Sequence, residues 1–370
     1  MTEITTQTEP DLDISTPYTA NIRSTEEFLE AMDFTNRSEQ GIRLFENLLV
    51  KMLIEGGRFD PDDFNNLYGL LEDHEVQHIK NQYYLNKELG HSGNLPSAIF
   101  RSLSPQIAHF IDNGGKPDAL EYVYYPDVIF ERAGDPNSVE ASLAWKIFTF
   151  SEIAQETRAR LDIVTTNIRE KVKEIEGSSE KEVRLLLIAG GLAPAVFKLA
   201  KEFPNIKFKI DLIDIDRKVL TKVNMIANQL KNLCIIGHLG DVTTENFVRK
   251  GKPLPIDDDG YDVVEAVGIN DYFSVEQMSI LLINAYRKVK SGGRIIIGNV
   301  ALTNPKDATR IFLHSIVGWP DMQHKDKEET TRVIKSVLPT QNIKIIPTPE
   351  STILIPVIDV EKKQLEQIPA

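Results

Sequence analysis

The sequence predicts an α/β protein, a mostly parallel sheet with crossover helices, preceded by a helical region. Three observations carry this. Between residues 183 and 361, short and almost wholly apolar runs alternate with amphipathic stretches. Strands buried on both faces read as such runs, and their alternation with helices implies parallel pairing. Glycines or acids close each run, where strand gives way to loop. From about 24 to 175 the apolar residues instead recur at steps of three and four, the spacing of a helix face.

The chain has 370 residues, which at ~100–200 residues per domain suggests two domains. We divide it into a disordered tail (1–20), a helical N-terminal domain (21–176) and a sheet domain (183–361). Net charge is −13, from 42 basic and 55 acidic residues. So acidic a chain repels a phosphate backbone, so nucleic acid is not its expected partner. The start is polar and acidic, unlike a signal peptide, and no apolar run reaches the ~20 residues of a membrane helix. Cys234 is the sole cysteine, which excludes an internal disulfide and fits a reducing compartment. The expectation is a cytoplasmic protein with no membrane partner, and a homodimer is left open.

In the helical region, Ser24 followed by Glu27 reads as a capping box, and "EQGIRLFENLLVKMLIEGG" ends at a glycine pair. The stretch from Asp60-Pro61 to Gly90 reads as one helix with acids in its first turn. A last helix carries the stripe Leu161, Val164, Ile168, Val172 and Ile175 before a polar linker at 176–182.

Inside the second stretch, His74, Glu75 and His78 spell H-E-x-x-H, a zinc-peptidase signature when helical. A catalytic zinc needs a third protein ligand. Position 81 is Asn81 and position 84 is Tyr84 where the extended pattern wants Gly and His, and no glutamate lies between Glu88 and Glu121. The expectation is therefore an ordinary helix and no metal site.

The sheet domain opens with "VRLLLIAGG", then a short helix from Pro194, "KFKIDLIDID", another helix and "LCIIGHLGDVT". "YDVVEAVGIN", a long helix, "RIIIGNVAL" and two final strands follow, the last two expected as an antiparallel edge pair. Gly190 and Gly191 permit a tight turn at a helix N-terminus, a ready site for a nucleotide-like ligand. Asp214 follows Gly191 by 23 residues, where a carboxylate accepts from ribose hydroxyls, and Asp216 reads as a helix cap. Asp241 ends the third strand over the same edge. The dinucleotide fingerprint G-x-G-x-x-G is not met, since the run is Gly190, Gly191, Leu192, Ala193, Pro194, Ala195.

These motifs resemble those of class I S-adenosylmethionine (SAM) methyltransferases. "IAGGLAP" is similar to the glycine-rich first motif, "LIDID" to the ribose-binding acidic motif and "GDV" to the adenine-contacting motif. The wording "GINDYF", "IIIGNVALTNPKD" and "HSIVGW" resembles bacterial methyltransferases that make 3-hydroxy fatty acid methyl ester (extracellular factor) signals. The matching positions are Gly298, Asn299, Asn304, Pro305 and Trp319. The resemblance covers about half the chain and implies a Rossmann-like class I methyltransferase sheet binding SAM. It assigns cofactor contacts to Gly190, Gly191, Ala193, Asp214, Ile215, Asp241, Val242, Glu265 and Gly268. Two positions depart from the family: Ile188 stands where an acid is usual, and Ala193 replaces a third glycine.

Methyl transfer is an in-line displacement, so the protein chiefly aligns acceptor and donor. Tyr272 and Phe273 offer aromatic faces to the sulfonium. His314 is the candidate base should the acceptor be a hydroxyl or amine; a carboxylate needs none. Tyr124, Tyr125, Asn299 and Trp319 are candidate contacts for a small-molecule acceptor. Arg158 and Arg160, just before the linker, could hold an anionic acceptor but read mainly as solvated helix charges. Two other uses of the same fold stay open: nicotianamine-synthase-like aminocarboxypropyl transfer, and SAM binding without catalysis.

Overall fold

The computed structural model describes residues 25–55, 59–91, 94–113, 117–179, 181–244, 247–301, 308–319 and 322–362. The chain divides into two compact units, Met1–Asn36 and Arg37–Ala370. The described part of the first is the opening of helix α1 (Thr25–Ile54). Ser24 and the Gly56–Gly57 pair lie outside the described residues. The first two helical stretches form one helix, since neither Gly nor Pro interrupts residues 25–40.

In the second unit, α2 (Asp73–Glu88), α3 (Leu95–Ser102), α4 (Pro105–Asp112), α5 (Pro117–Tyr124), α6 (Val128–Arg132) and α7 (Val139–Phe150) enclose one apolar core. Phe45, Phe64, Ile79, Ile107 and Phe148 lie in it. The single helix expected from Asp60 to Gly90 is broken. A 3-10 turn occupies Pro61–Leu67, Gly69 adopts φ +81°, and α2 starts afresh with a Glu72–Glu75 capping box. Pro61 and Gly69 explain the break: one favours a first turn, the other a left-handed bend.

Helix α8 (Glu152–Glu176) carries the expected apolar stripe onto the sheet. Then β1 (Glu182–Ile188), α9 (Pro194–Glu202), β2 (Lys207–Asp214), α10 (Arg217–Ala227) and β3 (Leu233–Leu239) alternate. A small hairpin, β4 (Val248–Arg249) and β5 (Lys252–Pro253), precedes β6 (Tyr261–Ala266) and α11 (Val275–Lys288). After β7 (Val289–Ile297) and β8 (Asn299–Val300) come α12 (Ala308–Ile311), a π-helical turn (Phe312–Ile316) and α13 (Lys327–Val337). The chain closes with β9 (Asn342–Pro347) and β10 (Ile353–Asp359).

Strand order is β3-β2-β1-β6-β7-β10, with β9 outside β10. The first five are parallel, and β10 runs antiparallel to β7. It is thus the second strand of the terminal pair that enters the sheet, leaving β9 as the edge. All six residues of β6 are buried, as a central strand covered on both faces requires. Residues of α8, α9 and α10 cover one face, and α11 with α13 the other. Rossmann-like architecture follows from this order, with a helical region ahead of it.

The H-E-x-x-H letters serve the helical core. Glu75 is fully buried, takes the Lys146 ammonium at 2.7 Å and accepts from Ser142 Oγ at 2.7 Å. His78 Nε2 lies 3.1 Å from the Leu103 carbonyl, while His74 is exposed. Removing one partner of a buried pair strands the other charge. Lys146→Met is expected to lower stability by ~3–5 kcal/mol in denaturant titrations. His74→Ala is expected to change it by under ~0.5 kcal/mol. Equal effects of the two would refute this account.

Candidate active site

The loops leaving β1, β2, β3 and β6 share one edge of the sheet. After β1 the backbone is left-handed at alternate residues: Ala189 (φ 52°), Gly191 (φ 53°) and Ala193 (φ 51°). The turn is closed by Ala189 N–H to the Ile213 carbonyl (2.8 Å) and Ala193 N–H to the Gly190 carbonyl (2.9 Å). Gly190 is required by packing, since a Cβ there would lie 2.8 Å from Leu187 Cβ and 2.9 Å from Leu212 Cδ1. Ala193 is the N-cap of α9 and Pro194 its first residue. The substituted third glycine therefore keeps the conformation a glycine favours.

Asp214 ends β2 nearly buried. Burial raises its pKa against backbone donors, among them Asp216 N–H at 2.8 Å and the amide of Gly191. Asp216 caps α10 through Lys218 N–H. Between the two aspartates Ile215 is 83% exposed, an apolar side chain open to solvent at the mouth of the loop. Asp241 closes an Asx turn by accepting from Thr243, and Val242 is buried beneath it.

The β6 side is organised by a residue that sequence reading set aside. Arg160, on α8, is buried rather than solvated. Its Nη1 would lie 3.5 Å from a Cβ on Gly268, whose φ is +88°. Burial works against the Arg160 charge, but the guanidinium donates to Tyr124 Oη (2.8 Å) and the Asp271 and Glu265 carboxyls near it favour the protonated form. Burial pushes the Glu265 carboxyl up to about 7, opposed by the Val267 N–H and the Arg160 charge. Asp271 is raised for the same reason and accepts from Val300 N–H. Arg158 is half-buried, and its guanidinium donates to the carbonyls of Val123 (2.8 Å) and Phe148 (2.6 Å), a fold contact.

On the far side, Tyr272 Oη accepts from Trp319 Nε1 at 2.6 Å, and burial raises the phenol pKa. Phe273 is core rather than a site wall. His314 lies in the π-helical turn with its Nε2 2.7 Å from His324 Nε2. Asn299 is fully buried, and its amide donates to the Lys325 carbonyl (2.7 Å). Tyr125 rests partly buried on the helical core, its phenol raised to about 12 by burial and by Tyr124 and Glu121. Asn304 and Pro305 lie outside the described residues. Among the described residues no group of three His, Cys, Asp or Glu side chains is arranged to hold a metal.

Residues 149–314 match the family model of the ubiE/COQ5 methyltransferases. That stretch is a little under half of the chain. No curated protein matches the sequence. Among solved structures, the chain is similar to a possible exported protein from Bordetella parapertussis, at 11% identity and TM-score 0.50, over 89% of this chain and 97% of that one. It is also similar to the CurJ carbon methyltransferase (15% identity, 90% and 94% coverage, TM-score 0.42). The CMeT domain of the citrinin polyketide synthase follows (10%, 89% and 90%, TM-score 0.47). Likeness at these identities is one of fold.

Arg160, Asp271, His324 and Lys325 are the groups that sequence reading missed or misjudged. Only Asp271 had a signal, within "GINDYF"; Lys325 sits in the polar run "QHKDKEE" yet is 2% exposed.

Two expectations follow. Ala193→Gly relieves a left-handed alanine and should raise stability by ~0.5–1 kcal/mol, read as a higher denaturant midpoint. Glu265 has a folded pKa above its unfolded value, so its stability contribution is complete below pH ~4.5 and is lost as pH rises through about 7. Glu265→Gln should therefore stabilise the ligand-free protein by up to ~3 kcal/mol at pH 8 and far less at pH 5. A pH-independent effect would overturn the assignment.

Proposed function

We propose that this chain is a SAM-dependent methyltransferase acting on a small-molecule acceptor. One observation carries the reading: a glycine turn opening α9 meets a buried carboxylate at the end of β2, with exposed Ile215 beside it. A turn at a helix N-terminus, an acid for ribose hydroxyls and an open apolar surface for a planar base match the three parts of an adenosine. Among the described residues the Arg160 side chain makes one hydrogen bond, to Tyr124, and a guanidinium carries further N–H donors that suit a carboxylate such as that of the donor's amino acid end.

SAM would supply an activated methyl group on a sulfonium. The chain's own residues bind and align. Asp214 and Gly191 fix the sugar end, and Arg160 with Gly268 fixes the other. Helix α5 excludes water: Glu121 holds Lys222 of α10 at 3.0 Å, and Tyr124, one turn on, holds Arg160 of α8. A dry site suits a cationic leaving group that becomes neutral. The resemblance to 3-hydroxy fatty acid methyl ester enzymes supports a carboxylate or hydroxyl acceptor. Exposed Cys234, and the finding that no described helix is long and apolar enough to cross a membrane, are compatible with work in the cytoplasm.

Calorimetric titration with S-adenosylhomocysteine tests the reading. One-site binding is expected, weakened ~10–100-fold by Asp214→Ala, the loss of a charged hydrogen bond. No binding by folded wild type would sink it.

A further inference from the structure

We infer that His314 and His324 act together as one proton-sharing base, so that the acceptor is a hydroxyl-bearing small molecule rather than a carboxylate. The inference rests on the methyltransferase reading and narrows its acceptor class.

The geometry comes first. The two Nε2 atoms are 2.7 Å apart, with ring centroids at 5.0 Å and planes at 69°. Nitrogens that close share a hydrogen: one ring donates and the other accepts through a lone pair. His314 belongs to a π-helical turn, a rare backbone form frequent at functional sites.

The location is the second observation. The segment carrying both rings is fastened to the loop after β6. Trp319 donates to Tyr272, Gln323 N–H to the Asp271 carbonyl (2.6 Å), and Lys325 Nζ to the Asn270 carbonyl (3.1 Å). A line of ionisable groups thus runs from Glu265 and Arg160 through Asp271 and Lys325 to His324 and His314.

The third is charge. His324 faces His314, Arg310 of α12 and Lys325, and each of these charges disfavours a proton on it. Burial first, then these three, lower its pKa to about 4, with only the Ala301 backbone acting the other way. One proton shared between the two Nε2 atoms leaves His324 a poor site for a second. A carboxylate acceptor has no proton to give at neutral pH, whereas a hydroxyl must lose one. As the acceptor oxygen bonds the methyl carbon, the carbon–sulfur pair stays with the donor's sulfur and the O–H proton passes to the imidazole pair, then to water.

Histidine NMR titration of the full chain, with no acceptor present, tests the pair. The His324 step is expected near pH 4, well apart from that of His314. In His324→Phe the lower step should vanish and the His314 step should move; His324→Gln serves if the Phe variant does not fold. Against panels of hydroxyl and carboxylate acceptors, wild type should methylate hydroxyls, and His314→Ala should lose ~10²-fold in rate together with the acid limb of the pH profile. Independent titration of both rings near ~6.5 would overturn the inference, as would turnover of carboxylates alone. S-adenosylhomocysteine binding separates the two failures. If wild type binds it while the rings titrate independently, only the His pair falls. If it does not bind, the methyltransferase reading falls as well.

Discussion

Burying the Arg160 guanidinium among Tyr124, Glu265, Asp271 and Gly268 is the interaction around which this edge of the sheet is built. A buried cation is tolerated only where polar groups and opposite charge surround it. That demand reaches outward. Gly268 must lack a side chain where the guanidinium passes. Asp271 must be held by Val300 N–H, which fixes the loop after β6 against β8. Lys325, buried as well, then balances Asp271 and ties in the segment that bears His324.

Arg160 can hold this position because α8 is fastened along its length. Glu156 accepts from Glu350 N–H and Thr352 N–H (3.1 Å each) and from Thr348 Oγ1, anchoring the β9–β10 turn. Arg158 gathers carbonyls at the ends of α5 and α7. Farther on, Arg294 of β7 donates to the Asn167 carbonyl and to Glu170. One helix thus touches the helical core at its start and both halves of the sheet thereafter. Its cross-links are charged side chains meeting backbone groups, more directional than apolar contact and well suited to hold one register.

The order of strands and helices was legible because buried strands and amphipathic helices have different periods, and each strand ended at a glycine or acid. Gly190, Asp214 and Asp216 could be placed because backbone geometry demands those residue types. What failed had another cause. Arg160 and Lys325 are long side chains whose burial depends on partners far away in the chain, and nothing in their neighbours distinguishes them from surface charges. Glu75 illustrates the converse: the local letters suggest a metal, while its partners Lys146 and Ser142, some seventy positions on, make it a core ion pair. The histidine pair was half visible. His314 stood out as a candidate base, but its partner needed the π-helical turn to bring it within reach.

The carboxyl of Glu265 has a consequence for how ligand binding registers in solution. A group with pKa about 7 is part protonated and part ionised at neutral pH. A cationic ligand settling near it favours the ionised form, so binding expels a fraction of a proton. That proton is taken up by whatever buffer surrounds the protein. Heats of binding measured in phosphate and in an amine buffer will then differ by the buffers' own enthalpies of ionisation, and apparent affinity will tighten as pH rises through neutrality. On binding such a ligand, the site would act as a small proton source whose output counts occupancy.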